Sequence, residues 1–172
     1  IQADALTAGG SIVLDGEDEV RVWDVDLRET GDLTIDGGRL VAVRKTAGGD
    51  AQTLRATGDV ELGELQSNGP ITVEAGGGVT GGVFHDIADV AGAVASGGTL
   101  RVAAGANIDL TDVSATGAQT LQTIEGDVTA EQITGGDSLT VDGAAIDIAT
   151  SDTAGSQTYT GDSLAFDSLE AG

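Results

Sequence analysis

The chain has 172 residues, 28 of them Gly, with one Pro, no Cys, no Met, 2% aromatic residues and a formal net charge of −22. The missing Cys rules out a disulfide framework and a thiolate metal centre, and the acidity disfavours nucleic acid and anionic membrane surfaces as partners. No apolar run approaches the roughly 18 residues of a membrane-spanning helix, so no membrane insertion is expected.

With four aromatic residues, Trp23, Phe84, Tyr159 and Phe166, any core must be built from Val, Ile, Leu and Ala, which favours a thin one. Disorder is disfavoured because 40% of residues are hydrophobic and recur in short β-branched alternations. The absence of Met suggests a processed or excised piece of a longer protein. All seven basic residues lie in the first 101 positions, and the last 71 carry twelve acids and no base.

Taken in chain order, a glycine followed by an apolar–x–apolar alternation recurs. It is seen at Gly10 with Ile12/Leu14, Gly31 with Leu33/Ile35, Gly58 with Val60/Leu62, Gly69 with Ile71/Val73 and Gly98 with Leu100/Val102. One further spacer gives Gly105 with Ile108/Leu110, Gly136 with Leu139/Val141, Gly143 with Ile146/Ile148 and Gly161 with Leu164/Phe166. Each unit reads as a turn leading into a short strand with one buried face.

The units form ladders with a period near 20. Ile12, Leu33, Leu54 and Ile71 make one, continued by Leu100, Leu121, Leu139 and Tyr159. Val20, Leu40, Val60 and Val79 make another, continued by Ile108, Val128, Ile146 and Leu164. A third is suggested by Leu6 with Leu27 and Val113 with Ile133. This period predicts an all-β, right-handed parallel β-helix (solenoid) of about eight or nine coils, over residues 1–172 as a single segment, because one such coil cannot bury its own apolar face. Residues 81–98, GGVFHDIADVAGAVASGG, break the register and are expected to form an irregular loop or insertion. An antiparallel sandwich would show more hairpin dipeptides than the lone Asn68-Gly69.

Three segments align with one another: DAQTLRATGDVELGELQSNG from Asp50, GAQTLQTIEGDVTAEQITGG from Gly117 and GSQTYTGDSLAFDSLEAG from Gly155. The run Gly155-Ser156-Gln157-Thr158-Tyr159-Thr160-Gly161, with Leu6-Thr7-Ala8-Gly9-Gly10-Ser11-Ile12-Val13-Leu14, resembles the repeats of filamentous-haemagglutinin-like exoproteins exported by two-partner secretion. The resemblance implies a β-helix shaft, secretion to the bacterial cell surface through an outer-membrane secretion partner, and adhesion to a polysaccharide or cell-surface receptor. With one histidine and no Lys or Arg from Val102 onward, no enzymatic activity is expected. A carbohydrate (exopolysaccharide)-binding module on the same scaffold is the alternative, with the 81–98 excursion, in particular Phe84, His85 and Asp86, as the ligand-binding surface. A polysaccharide-degrading enzyme is a further alternative, with Arg39, Arg44, Lys45 or Arg55 stabilising charge beside clustered acids.

His85 is the only histidine, and one in a Gly-flanked irregular segment reads first as a loop residue rather than a member of a triad. Asp15, Asp36, Glu74 and Asp142 each follow the second apolar residue of a strand, so similar registers stack them on one corner. Like charges about 5 Å apart repel by roughly 1 kcal/mol in water, so either the corner is staggered or a cation such as calcium sits there. Gly135-Gly136-Asp137-Ser138 lacks the glycine spacing of the calcium-binding nonapeptide repeat, and solvated acids without a cofactor are the simpler expectation. Thr34, Thr72 and Thr140 are similar to the threonine ladders of ice-binding β-helices, but Val13, Glu61, Arg101, Asp109 and Asp147 are assigned equivalent positions, so no regular ladder is expected.

Overall fold

The computed structural model describes residues 1–28, 30–84, 87–88 and 92–172. Its strands wind as a parallel β-solenoid. Short strands such as Ile12–Gly16, Asp32–Gly37 and Ala51–Ala56 stack into an eight-stranded sheet, and longer ones such as Glu19–Asp26, Leu40–Ala47 and Asp59–Ser67 into a ten-stranded sheet. The chain alternates between the two, so each circuit adds one rung to both.

The longer strands turn a corner. In Glu19–Asp26, Val20 and Val22 are buried, Trp23 and Asp24 both face outward, and Val25 is buried again. Two successive outward residues reset the alternation, and the ladder to the next coil omits Trp23 and its counterpart Arg44. The third ladder expected from sequence is the wall beyond this corner, running Val25, Thr46, Leu65, Val94, Val113, Ile133, Ser151 and Leu169.

Leu14, Ile35, Leu54, Val73, Val102, Leu121, Val141 and Tyr159 form one continuous inner column of the eight-stranded sheet. Val20, Val41, Val60, Val79, Ile108, Val128, Ile146 and Leu164 form its counterpart on the ten-stranded sheet. Each interior residue of these columns is buried, and every buried aliphatic side chain contributes about 1.5–3 kcal/mol.

Several rungs differ from the sequence-based ladders. Leu54 stacks on Ile35 rather than Leu33, Val41 rather than Leu40 follows Val20, and Leu6 pairs with Val25 rather than Leu27. Leu40 is apolar for another reason: it packs outside the core with Ala42 and Trp23. Leu121 and Tyr159 belong to the Leu14 column, leaving Gln119 and Gln157 on the rungs next to Leu100 and Leu139.

Those glutamines explain the repeated Gln-Thr motif. The column Ile12, Leu33, Gln52, Ile71, Leu100, Gln119, Leu139, Gln157 carries a Gln in place of an aliphatic residue at each motif. Gln52 is 1% exposed; its amide nitrogen donates to the carbonyls of Gly48 (3.1 Å) and Gln66 (2.7 Å), and its oxygen accepts from Thr46 Oγ1 at 2.6 Å. Gln119 donates in the same way to Thr134 (2.8 Å) and Gly135 (3.0 Å). Each amide therefore ties two backbone carbonyls of the stack to the interior, where an unmade bond is costly.

The amide oxygens are satisfied unequally. The hydroxyl of Thr46 stands six residues before Gln52, and that of Ser151 six before Gln157, where the Tyr159 hydroxyl links the two by donating to Gln157 Oε1 (2.7 Å) and lying 2.9 Å from Ser151 Oγ. Val113 occupies the matching place before Gln119, and Gln119 Oε1 is buried with no hydrogen-bond partner.

Steric limits between coils set many of the turn glycines. A Cβ at Gly69 would overlap the carbonyl oxygen of Asp50 directly below, and one at Gly155 that of Asp137. Positive φ among the described glycines is confined to Gly31, Gly48, Gly49, Gly82, Gly135 and Gly136, so close stacking rather than turn conformation explains most of the rest.

One coil is longer than the others. From Ile71 to its partner Leu100 is 29 residues, against 19 from Gln52 to Ile71 and 19 from Leu100 to Gln119. Gly81 still pairs with Leu62 and Ala93 with Glu64, so the segment between Gly81 and Ala93 takes the place of the single corner residue Gly63. The expected 81–98 excursion is therefore shorter, because Ala93–Ser96 has rejoined the ten-stranded sheet. Gly81 and Gly92 pinch its base, where a Cβ on either would meet the other's backbone.

The end rungs are open. Leu164 and Leu169 are 49% and 46% exposed at one end, and Ile1 is 52% exposed at the other. Tyr159 and Phe166 partly cover the last coil, with ring centroids 4.6 Å apart at 60°.

Two outcomes follow from these contacts. Val113→Thr should be neutral or stabilising by up to about 1 kcal/mol in urea unfolding, by giving Gln119 Oε1 a donor, whereas Val94→Thr, one rung below and preceding Leu100 instead of a Gln, should cost about 1–3 kcal/mol. Equal losses for the two would contradict the Gln–hydroxyl pairing. Burial of the Tyr159 phenol raises its pKa from the ordinary value, with the Ser151 contact opposing. The stability it contributes is then complete below about pH 10 and lost as pH rises through the higher folded-state value. As this is the chain's one tyrosine, its ultraviolet titration should show a midpoint above about 10 in the folded protein and near 10 in urea.

Candidate functional site

The outer face of the eight-stranded sheet concentrates most of the residues with chemical interest. Its outward column at the strand ends runs Asp15, Asp36, Arg55, Glu74, Ala103, Gln122, Asp142 and Thr160. All four acids expected to share a corner do so. They are not all consecutive: Asp15 and Asp36 stack on adjacent rungs, but Arg55 stands between Asp36 and Glu74, and Ala103 and Gln122 separate Glu74 from Asp142.

The intervening residues offset part of the charge in the column or spread it out. Arg55 Nε donates to Glu74 Oε2 at 2.8 Å, and this bond, with the fields of Glu74 and Asp36, raises the Arg55 pKa despite some desolvation. Gln122 Nε2 approaches Asp142 Oδ2 at 3.5 Å. Among the described residues no group of three or more His, Asp or Glu converges as a metal site would require.

The middle outward column of the same sheet is Val13, Thr34, Thr53, Thr72, Arg101, Thr120, Thr140 and Thr158. A threonine ladder broken by one arginine is thus present, contrary to the sequence expectation. Glu61, Asp109 and Asp147 do not interrupt it because they lie together on the other sheet, in a column with Thr80 and Thr129. Threonine is favoured on exposed strands generally. The corresponding column of the ten-stranded sheet nevertheless mixes Arg21, Ala42, Glu61, Thr80 and Asp109, so strand preference alone does not account for the uniform one.

Between the acidic column and the adjoining turn runs a groove of about 690 Å³. Its lining reaches from Asp36 and Gly37 on one rung to Gln122 and Ile124 four rungs further on, which is about 19 Å at ~4.8 Å per rung. The floor is Ala56, Ala75 and Ala104, small inward-facing residues at the strand ends. Ala103 leaves the wall low between Glu74 and Gln122, and Ile124 stands beside it 81% exposed. Nothing in the linear sequence signals this groove, because its residues come from five coils.

The remaining site expectations fall elsewhere. Val83–Phe84 and Ile87–Ala88 form a two-rung antiparallel ladder within the excursion, and His85 and Asp86 lie outside the described residues. The basic residues considered for charge stabilisation each meet an acid: Arg39 with Asp18 (3.3 Å) and Glu19, Arg44 with Asp24 (3.1 Å), Lys45 with Glu64 (2.9 Å) and Arg55 with Glu74. Arg44 also lies over the Trp23 ring, 5.9 Å from its centroid. Arg44, Lys45 and Asp24 share one surface recess with Asp26, whereas Arg55 and Glu74 border the 690 Å³ groove. The chain matches no protein-family model, no curated protein and no solved structure.

The central role of Arg55 in the acidic column is directly testable. Arg55→Glu would place acids on four successive rungs, and should lower stability by about 1–2 kcal/mol at low ionic strength, with most of the loss recovered in ~0.5 M NaCl. A salt-independent loss, or none, would show that the ion pair does not manage the repulsion.

Proposed function

We propose that this chain is a stalk segment of a secreted or cell-surface bacterial adhesin of the filamentous-haemagglutinin type, exported by two-partner secretion and serving cell–cell, host or biofilm-matrix attachment. The observation that carries the reading is the regular stack itself: eight rungs of parallel strands, with nearly constant inner columns, hold a narrow rod about 34 Å long at ~4.8 Å per rung. A rod of this kind transmits position along its axis.

Two further features support it. The Gln-Thr motif on which the resemblance rests occupies one structural position of this chain in all three instances, so it recurs as an element of the coil. The net charge of −22 keeps such a rod soluble and discourages lateral aggregation of its sheets.

Antibodies raised against the chain should label intact, unpermeabilised cells or the culture medium, and the flanking gene sequence should encode an upstream secretion domain and more coils of about 19 residues. Labelling only after permeabilisation, with no such flanking sequence, would overturn the stalk reading.

A further inference from the structure

A passive shaft needs no lateral groove, and the one on the eight-stranded sheet has a composition that selects its occupant. We infer that it is a binding site for an extended neutral oligosaccharide segment, laid along the rod axis. The inference goes beyond the stalk reading and does not depend on it.

The first argument is shape. The groove crosses five successive rungs and has an open, elongated form, as a linear polymer requires. The second is the distribution of polarity. Ile124, 81% exposed, gives an apolar shoulder suited to the C–H face of a sugar ring, while Ala56, Ala75 and Ala104 turn their methyls into the core and leave the floor uncharged. The rim alternates donors and acceptors: the Arg55–Glu74 pair and Gln122 on one column, and Arg101 in the neighbouring one. Ring hydroxyls, which both donate and accept, match such a rim.

The third argument is charge. Asp36 and Glu74 border the groove and the protein as a whole is strongly acidic, so an anionic polymer would approach against the field. Arg55 is already held by Glu74, and Arg101 alone is too little to reverse that field. The fourth concerns the main competing ligand, an extended peptide. Strand peptides bind by adding to a free sheet edge, but this groove lies on a sheet face, where the backbone groups of each rung are already bonded to the rungs above and below. A peptide laid along this face would therefore find no backbone partners for its own N–H and C=O groups.

The test is calorimetric titration of the full chain with cellohexaose, laminarihexaose, mannohexaose and maltohexaose, with tetragalacturonate as the anionic comparison and the octapeptide (Ala-Val)4 as the peptide comparison. At least one neutral glycan should bind saturably, about tenfold or more tighter than tetragalacturonate or the peptide. Ala103→Phe, which fills the low point of the wall, and Ile124→Ser, which removes the shoulder, should each weaken that binding at least about tenfold, while Thr158→Ala, far along the rod, leaves it unchanged. Circular dichroism and melting of each variant establish that it folds, and Ile124→Ser, at an exposed turn position, serves if the bulkier replacement does not. The inference is overturned if no neutral glycan binds, if tetragalacturonate or the peptide binds better, or if binding persists undiminished in folded groove variants. None of those outcomes bears on cell-surface labelling, so the stalk reading stands or falls separately.

Discussion

In-register stacking of inward side chains from one coil to the next is the constraint on which the structure depends. A single circuit of roughly 19 residues has too little interior to exclude water, and its aliphatic groups become buried only when the next circuit lies over them. The constraint is unforgiving in one respect. A one-residue slip would turn every inner side chain outward, so each irregularity has to be absorbed at a turn or corner. The longer coil does this by leaving the rod at the position of Gly63 and rejoining before Glu64's partner Ala93, which keeps both walls in register.

Polar and charged groups are fitted to the same repeat. Inside, Gln52, Gln119 and Gln157 replace aliphatic rungs, and the buried Gln52 and Gln119 exchange some apolar burial for hydrogen bonds to backbone carbonyls shielded from water. Outside, stacking brings Asp15 and Asp36 onto adjacent rungs, and Arg55, Ala103 and Gln122 keep Glu74 and Asp142 from extending that run. Ala103 contributes to the groove by being small at the same column position, so the feature with most functional interest arises from a gap in a ladder.

The fold class was legible in the sequence because the period is carried by Val, Ile and Leu, whose burial is the dominant energy. Individual rungs were less legible, for identifiable reasons. Gln52, Gln119 and Gln157 look like surface residues, so the ladder passed to Leu54, Leu121 and Tyr159 two positions on. Leu40 looks like core but shelters under Trp23. The outward columns were hardest, because parity reverses at each corner and the longer coil shifts the count. The sequence pattern therefore points to Glu61, Asp109 and Asp147 as members of the threonine column, where the register instead puts Thr53, Thr120 and Thr158. The shared column of Asp15, Asp36, Glu74 and Asp142 follows from their common place after the second apolar residue of a strand, yet the residues between them, which decide the electrostatics, depend on the register of every coil.

Disulfide trapping tests the stacking most directly, and the absence of native cysteine makes it unambiguous. Cysteines replacing Thr34 and Thr53, or Thr120 and Thr140, fall on adjacent rungs about 4.8 Å apart, within the Cα separation a disulfide accepts. The account predicts rapid intramolecular cross-linking of both pairs under mild oxidation, and none for Thr34 with Thr72, two rungs apart. Cross-linking of the Thr34 and Thr72 pair in preference to its neighbours, or failure of both adjacent pairs in folded protein, would contradict it.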